Sequence, residues 1–449
     1  MSRLPAWSAK KIRVQQGERD KKSIMADQYA IRPITEDEFA AFRRVHEHSF
    51  NSGPAPAARQ PRMLRQFEAD RSLAAFDPDL PAGRDIVGTA GVYSFPMAVP
   101  GAALPVAGVT MVAVLPTHRR RGILRSMMHL QLADIAACGQ EPIAALWAAE
   151  TPLYGRYGYG RASWHAFFRF RRGEGALSPL APADPALALR LAEPGEVTAD
   201  LAKVYAAVAA RQPGFFWRDD DWWERVLDDP EEGRHGSSPL RCLLAADGGG
   251  VRGYALYRTI SRWEQGTVLP DSALSVWELV SADPAAGAAL WRDLLSRDLV
   301  TEVTADLRPA DDPLLSQLFD ARRARVQVAD NLWVRIIDLP AALTRRAYAA
   351  PVDVVLEVTD ELLPANAGRW RLRAASATMA EDGAARCTRT DEPADIALDV
   401  RELGAAYLGG TRLGALAAAG LVTELRTGAL GRLSAAMTWD PAPWCPRIF

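Results

Sequence analysis

Cysteine is scarce: four residues in 449, scattered at Cys138, Cys242, Cys387 and Cys445 with no Cys-x-x-Cys pair. Neither a disulfide nor a zinc framework is expected, and thinly spread thiols suit a reducing compartment, the cytoplasm. No membrane span is expected. The first 23 residues carry charges but no apolar stretch of the secretory kind. Residues 1–28 are expected to be a flexible extension. Neither charge dominates: 53 Lys and Arg face 55 Asp and Glu, a formal net charge of -2. Nothing global pulls the chain towards nucleic acid or an anionic membrane, and neither is expected as a partner. The phosphate-binding GK[ST] and the hydrolase GxSxG patterns are missing, and the basic stretch from Arg119 to Arg125 carries no dinucleotide GxGxxG. His46 and His48 point apart on a helix, and Asp219 to Asp221 complement a helix start, so no metal site is expected.

The length exceeds one ordinary core, so two to three domains are expected. A strand from Tyr29 leads into Thr35-Glu-Asp-Glu38, whose capping-box spacing announces a helix. Residues 51–62, rich in Pro, Gly and Ala, read as a loop. Strands are expected over 71–76, 85–97 and 107–115, the last stopped by Pro116. A helix is expected over 121–138, with Leu124, Met128, Leu132 and Ile135 on one face. Strands at 143–149 and 163–170 flank the turn Tyr154-Gly-Arg-Tyr-Gly-Tyr-Gly160. After a Pro-rich linker at 177–185, residues 187–337 repeat the order of elements. The strand–Pro–helix step from Ser275 to Arg292 echoes Met111 to Leu124 without the arginines, which predicts a duplicated fold in which one copy kept the chemistry. A third region starts near Leu339, with strands at 352–359 and 394–400 and short helices at 401–408 and 412–419, and ends in a Pro-rich extended tail.

The densest chemical signal is Val112-Ala-Val-Leu-Pro-Thr-His-Arg-Arg-Arg-Gly-Ile-Leu-Arg125, between a strand and a helix. A helix start offers N–H groups without intrahelical acceptors and a partial positive charge. Gly122 admits close approach of a pyrophosphate, and Arg119, Arg120, Arg121 and Arg125 add forked donors. The strand end at Val112, Ala113 and Val114 presents backbone to an extended ligand arm. A solvated basic turn is the bland reading; the position between strand and helix favours an anion site.

Arg119-Arg-Arg-Gly-Ile-Leu124 resembles the R/Q-x-x-G-x-G/A signature of the GNAT superfamily of N-acetyltransferases, with Leu124 in place of the final small residue. The longer string Val112 to Arg125, with Ala149-Glu150 and Leu153-Tyr-Gly-Arg-Tyr-Gly-Tyr-Gly160, resembles the enhanced-intracellular-survival (Eis) N-acetyltransferases. The likeness covers nearly the whole chain after the extension. The third region, with Arg386-Cys-Thr and Ala406-Tyr-Leu-Gly-Gly, is similar to that family's sterol-carrier-protein-like domain. The resemblance implies an α/β and α+β architecture: a catalytic GNAT domain at 29–175, a second, non-catalytic GNAT-like domain at 186–338, and a sterol-carrier-protein-like domain at 339–449 ending in the catalytic C-terminus. It implies that acetyl-CoA is held by Val112, Ala113, Val114, Arg119, Arg120, Arg121, Gly122, Ile123, Leu124, Arg125, Ala149 and Glu150, without a metal. It implies Tyr154 as general acid, the terminal carboxylate of Phe449 as general base, and Phe50 and Asp312 as substrate contacts. It further implies a homohexamer, and direct transfer in a ternary complex to small-molecule amines, aminoglycosides among them.

A tyrosine of pKa about 10 can reprotonate a thiolate whose thiol has pKa about 8.5 when held close. On the residues alone Tyr154, Tyr157 and Tyr159 compete for that role, and packing accounts for all three; the resemblance singles out Tyr154. A terminal carboxylate, pKa about 3.3 to 3.7, needs a desolvated site to take a proton from an ammonium. The prolines with Trp444 and Phe449 suit a stiff docked tail, the alternative being a frayed end. Ser52 stands where the family's well-known member has an aspartate, and Ile448 where it has a glutamate. Fewer carboxylates favour a less charged or more apolar amine. A protein-lysine acetyltransferase and a non-catalytic carrier of apolar ligands are the alternative functions.

Overall fold

The computed structural model describes residues 24–26, 29–54, 56, 59–376 and 385–449. These form two compact units. The first gathers the described residues up to Val92 with Met111–Gln131 and Arg218–Val226; the second takes Tyr93–Thr110, Leu132–Trp217 and Leu227–Phe449.

In the first unit, strands Tyr29–Pro33 and Leu73–Phe76 and the start of Ile86–Val99 form an antiparallel ladder, with Ala30 opposite Phe76 and Leu73 opposite Ala90. Leu73–Phe76 is buried throughout, as expected of a strand covered on both faces. Alternation then divides its side chains. Leu73 and Ala75 pack with Ile31, Val87, Ile123, Met127 and Leu130. Ala74 and Phe76 pack with Phe39, Phe42, Val45 and Phe67. Helix Ile123–Cys138 thus covers one face and helix Phe39–Ser49 the other. The Thr35 signal delivers a single 3-10 turn, Glu36–Glu38, before that helix, with Thr35 N donating to Glu38 Oε2 at 3.0 Å. Arg218–Val226 is tied in by Arg65, which bonds Asp221 at 3.2 Å and Glu224 at 2.5 Å.

Three expectations shift here. Within the expected extension, Ile24–Ala26 forms a strand paired with Tyr29–Ile31; residues 1–23 and 27–28 lie outside the described set. The expected loop at 51–62 is cut short at its end by helix Gln60–Gln66, because Pro61 sits in the first turn, where no N–H is needed. The cradle helix starts at Ile123 rather than at Arg121, because Arg120 and Gly122 have φ of 63° and 80° and keep the chain out of the helical region.

The second unit holds three ladders. Val106–Val109 pair in parallel with Ile143–Leu146, and Ile143–Trp147 pair antiparallel with Leu332–Ile336, which also receives Gly160–Arg161. A seven-stranded sheet runs in the order Gln327–Asp330, Trp164–Arg171, Val300–Pro309, Ser272–Ser281, Gly250–Ile260, Arg241–Asp247, Ala188–Ala192. Its single parallel pair, Ser272–Ser281 with Val300–Pro309, is bridged by helix Pro284–Leu295. The same strand–helix–strand step occurs at Ala102–Val114, Ile123–Cys138 and Ile143–Trp147. The copies exchange strands: Trp164–Arg171, which follows the first copy in sequence, joins the second sheet, and Leu332–Ile336, which follows the second, pairs with Ile143–Trp147. The third ladder is a five-stranded sheet ordered Arg386–Arg389, Gly368–Ala374, Val352–Thr359, Ile396–Asp399, Val422–Glu424. Its helix Val400–Ala406 lies on Leu332–Ile336. Among the described residues no helix is long and apolar enough to cross a membrane, and no group of three or more His, Cys, Asp or Glu is placed to hold a metal ion. The four cysteines are free thiols.

Candidate functional site

The basic turn of the first unit is built by a kinked strand end and a helix start. Met111 has φ 48°, a left-handed step inside Ala102–Val114. Thr89 Oγ1 secures the kink by donating to the Met111 carbonyl at 2.8 Å. Beyond it Ala113 packs into one core layer, and Val112 and Val114 flank the other. Leu115 N donates to Val87 O at 2.9 Å, and a 3-10 turn at Pro116–His118 leads to the arginines. A Cβ on Gly122 would meet nothing within 4 Å, so glycine is there for its positive φ and the space above it is open. Arg119, Arg120 and Arg125 are exposed and have no ion-pair partner among the described residues. Arg121 is engaged: its Nη1 donates to the Tyr29 hydroxyl at 2.7 Å. His118 bonds Asp77 Oδ2 through Nε2 at 3.0 Å, and its Nδ1 lies 2.8 Å from Thr117 Oγ1. The Asp77 carboxyl is held below the usual range, first by the Asp79 N–H and then by His118. Ile123 is buried and Leu124 half-buried, which anchors the helix start. First-turn N–H groups, three uncommitted guanidinium groups and open space fit the phosphates of a nucleotide-like ligand. Phe50 closes helix Phe39–Ser49 with its ring 44% exposed and stacked on His46 at 4.4 Å between centroids.

In the second unit, strand Ile143–Trp147 ends in exposed Ala149 and Glu150, and Leu153 N donates to Glu150 O at 3.2 Å. The short helix Thr151–Tyr154 runs into a 3-10 turn, Gly155–Tyr157. Gly158 then reverses the chain at φ 77° and lies on Arg335, whose Cζ would be 2.9 Å from a Cβ there. Arg335 is itself buried and paired with Asp360 at 2.7 Å. Tyr154 is buried, edge-on to Tyr159 at 6.1 Å. Burial, foremost, pushes the Tyr154 hydroxyl up to about 12, with Tyr157 and Glu150 adding to the shift. It therefore stays a proton donor throughout the neutral range. Tyr159 is wholly buried, which removes it from contact with a ligand.

The tail beyond helix Ala429–Met437 is docked residue by residue. Gln212 Nε2 donates to Ala442 O at 2.5 Å, and Ala442 N to Asp311 Oδ2 at 3.3 Å. Trp444 N donates to Pro213 O at 2.8 Å and Trp444 Nε1 to Leu307 O at 2.5 Å. Phe449 is 4% exposed, edge-on to Phe95 at 4.9 Å and Phe216 at 5.8 Å. Thr110 Oγ1 donates to the Phe449 main-chain oxygen at 3.0 Å. The tail is extended as expected, and an ordered end replaces the frayed alternative. Thr110, Phe95 and Phe216 are not singled out by the sequence; each is one residue in an apolar or mixed run with no motif around it.

Asp312 requires a correction. Its carboxylate is 3% exposed, with Oδ2 on Arg308 Nε at 2.8 Å and Oδ1 on Leu314 N at 2.9 Å. Arg308 in turn lies over Trp444, 5.0 Å from the ring centroid. A carboxylate so committed braces the tail instead of lining an open pocket, because a buried pair loses heavily when one partner leaves.

Comparison with known proteins identifies this assembly. Two models described as acetyltransferase (GNAT) domain match residues 30–162 and 214–336, and one described as sterol carrier protein domain matches 339–446. N-acetyltransferase Eis of Mycobacterium bovis is 37% identical over 368 residues, 80% of this chain and 84% of that protein. The chain belongs to the Eis family of GNAT N-acetyltransferases. An uncharacterized N-acetyltransferase of Streptomyces coelicolor is 44% identical, covering 89% of this chain and 95% of its own length. The crystal structure of Eis1 from Mycobacterium abscessus aligns with a TM-score of 0.75 at 33% identity, covering 93% of this chain and all of that one. Two GNAT domains followed by a sterol-carrier-protein-like domain are thus the architecture of this Eis-family enzyme, and acetyl transfer to nitrogen is its class of reaction.

Proposed function

We propose that acetyl-CoA is the donor, that its phosphates take the Arg119–Arg125 turn and its pantetheine arm the Val112–Val114 backbone, and that the acceptor is a small-molecule amine attacking directly in a ternary complex. The observation that carries this reading is the docked Phe449, whose main-chain oxygen accepts from Thr110 inside an aromatic nest. We take that oxygen to be one of a terminal carboxylate. Rings on two sides keep the Phe449 side chain out of water. Phe449 then takes a proton from the acceptor's ammonium, the freed amine forms the C–N bond, the C–S bond breaks, Tyr154 gives its proton to the departing sulfur, and the second proton shed by the new amide nitrogen restores Tyr154. Burial makes Tyr154 a weaker acid, at about 12, but a thiolate expelled into equally dry surroundings is a correspondingly stronger base. The half-exposed Phe50 ring, with Ser52 and Ile448 in place of carboxylates, favours an apolar, singly charged amine over a polycationic aminoglycoside. A cytoplasmic homohexamer is the proposed working form.

Thiol release from acetyl-CoA over a panel of amines tests the proposal. Deleting Phe449, or making Tyr154→Phe, should lower kcat by about a hundredfold or more while acetyl-CoA still binds. Full activity without Phe449 would move the base elsewhere.

A further inference from the structure

The turn that carries Tyr154 and the tail that carries Phe449 are joined through two buried polar side chains in otherwise apolar surroundings, Ser163 at 1% exposure and Asn331 at 0%. Ser163 lies just past the turn, and Asn331 just before strand Leu332–Ile336. Ser163 Oγ donates to Asn331 Oδ1 at 3.0 Å and accepts from Leu332 N at 3.1 Å, while Asn331 N donates to Ser163 O at 3.0 Å. The Cys445 N–H and carbonyl fix which end of the amide is oxygen, and that oxygen faces Ser163 as an acceptor for the hydroxyl proton. Asn331 Oδ1 then accepts from Cys445 N at 3.2 Å, and Nδ2 donates to Cys445 O at 3.0 Å. The side chain reads both backbone groups of Cys445 as a neighbouring strand would, and the opposite amide orientation would set donor against donor.

We propose that Asn331, braced by Ser163, is a positioning residue that sets the register of the tail against the Tyr154 turn and so places the Phe449 carboxylate for proton removal. The inference rests on the proposed role of Phe449. The other tail bonds hold Ala442 and Trp444 before it and, through Thr110, Phe449 after it; Asn331 holds Cys445 between them. No change in the acetyl-CoA site is involved.

The test is a double-mutant cycle in the full chain, crossing Asn331→Ala with deletion of Phe449 and reading kcat, the acetyl-CoA KM and acetyl-CoA affinity. Asn331→Ala alone should lower kcat by about a hundredfold, the scale of a misplacement near 1 Å, with the acetyl-CoA KM unchanged. In the background lacking Phe449 the same substitution should have no further effect, because it acts through that residue. Ser163→Ala, which removes a single hydroxyl, should show the same non-additivity at about a tenth of the effect and keeps the test open if Asn331→Ala folds poorly. Wild-type kcat in Asn331→Ala, or losses that multiply in the double variant, would overturn the proposal. A Phe449 deletion that is itself fully active would instead remove the base assignment on which the inference rests.

Discussion

At helix Ile123–Cys138 the first turn meets exposed arginines and open space, whereas at helix Pro284–Leu295 it meets a carboxylate of the chain itself. Asp283 Oδ1 accepts from Ala285 N and Ala286 N, both at 3.0 Å, and its Oδ2 accepts from Arg252 Nε at 2.8 Å. Arg252 also bonds Asp184 at 2.6 Å and Asp247 at 2.9 Å. The two copies share a strand, a turn and a helix and differ in where the anion comes from. In the second copy the helix start is capped from within, and a phosphate would have to displace Asp283 from two N–H groups and a guanidinium. In the first copy the same groups are left for a ligand. The two copies thus share a fold and differ at their helix starts by one capping carboxylate.

The comparison breaks first if a carboxylate is supplied to the first copy. Gly122→Asp should imitate Asp283, since aspartate tolerates positive φ better than most residues, and should raise the acetyl-CoA KM by about tenfold or more, worth about 1.4 kcal/mol. Steady-state kinetics checks this; an unchanged KM would mean that the helix start does not hold the phosphates. The converse substitution is smaller and falls on stability. Asp283→Ala should cost about 1 kcal/mol by thermal or urea unfolding, without altering the acetyl-CoA KM. Its pH dependence follows from Arg252, which, ahead of the Ala286 and Ala285 N–H groups, holds the Asp283 carboxyl below the usual range. A depressed folded-state value means that the stabilisation is complete above the unfolded carboxylate pKa of about 3.9 and is lost as pH falls through the folded value. The stability gap between wild type and Asp283→Ala should therefore be constant at neutral pH and close in acid.

Local patterns make the cradle legible in the sequence. Arg119 to Gly122 announce the anion turn, Pro116 the strand end, and the strand–Pro–helix echo at Ser275 to Arg292 the duplication. The exchange of Trp164–Arg171 and Leu332–Ile336 between sheets is not legible there, because both strands are apolar and fit either partner. Nor is the docking of the tail. Its anchors, Thr110, Gln212, Asp311 and Asn331, lie far from it in sequence and carry no signature of their own. Asp312, offered as a substrate contact by the family resemblance, is instead committed to Arg308, four residues earlier.

Titration calorimetry of acetyl-CoA against the full chain tests the central claim most directly. The account predicts one molecule bound per chain in the wild type, and affinity weakened about a hundredfold when Arg119, Arg120 and Arg125 are all replaced by alanine, at roughly one kcal/mol per lost charged contact screened by water. Two molecules per chain, or undiminished binding in the triple variant, would contradict it.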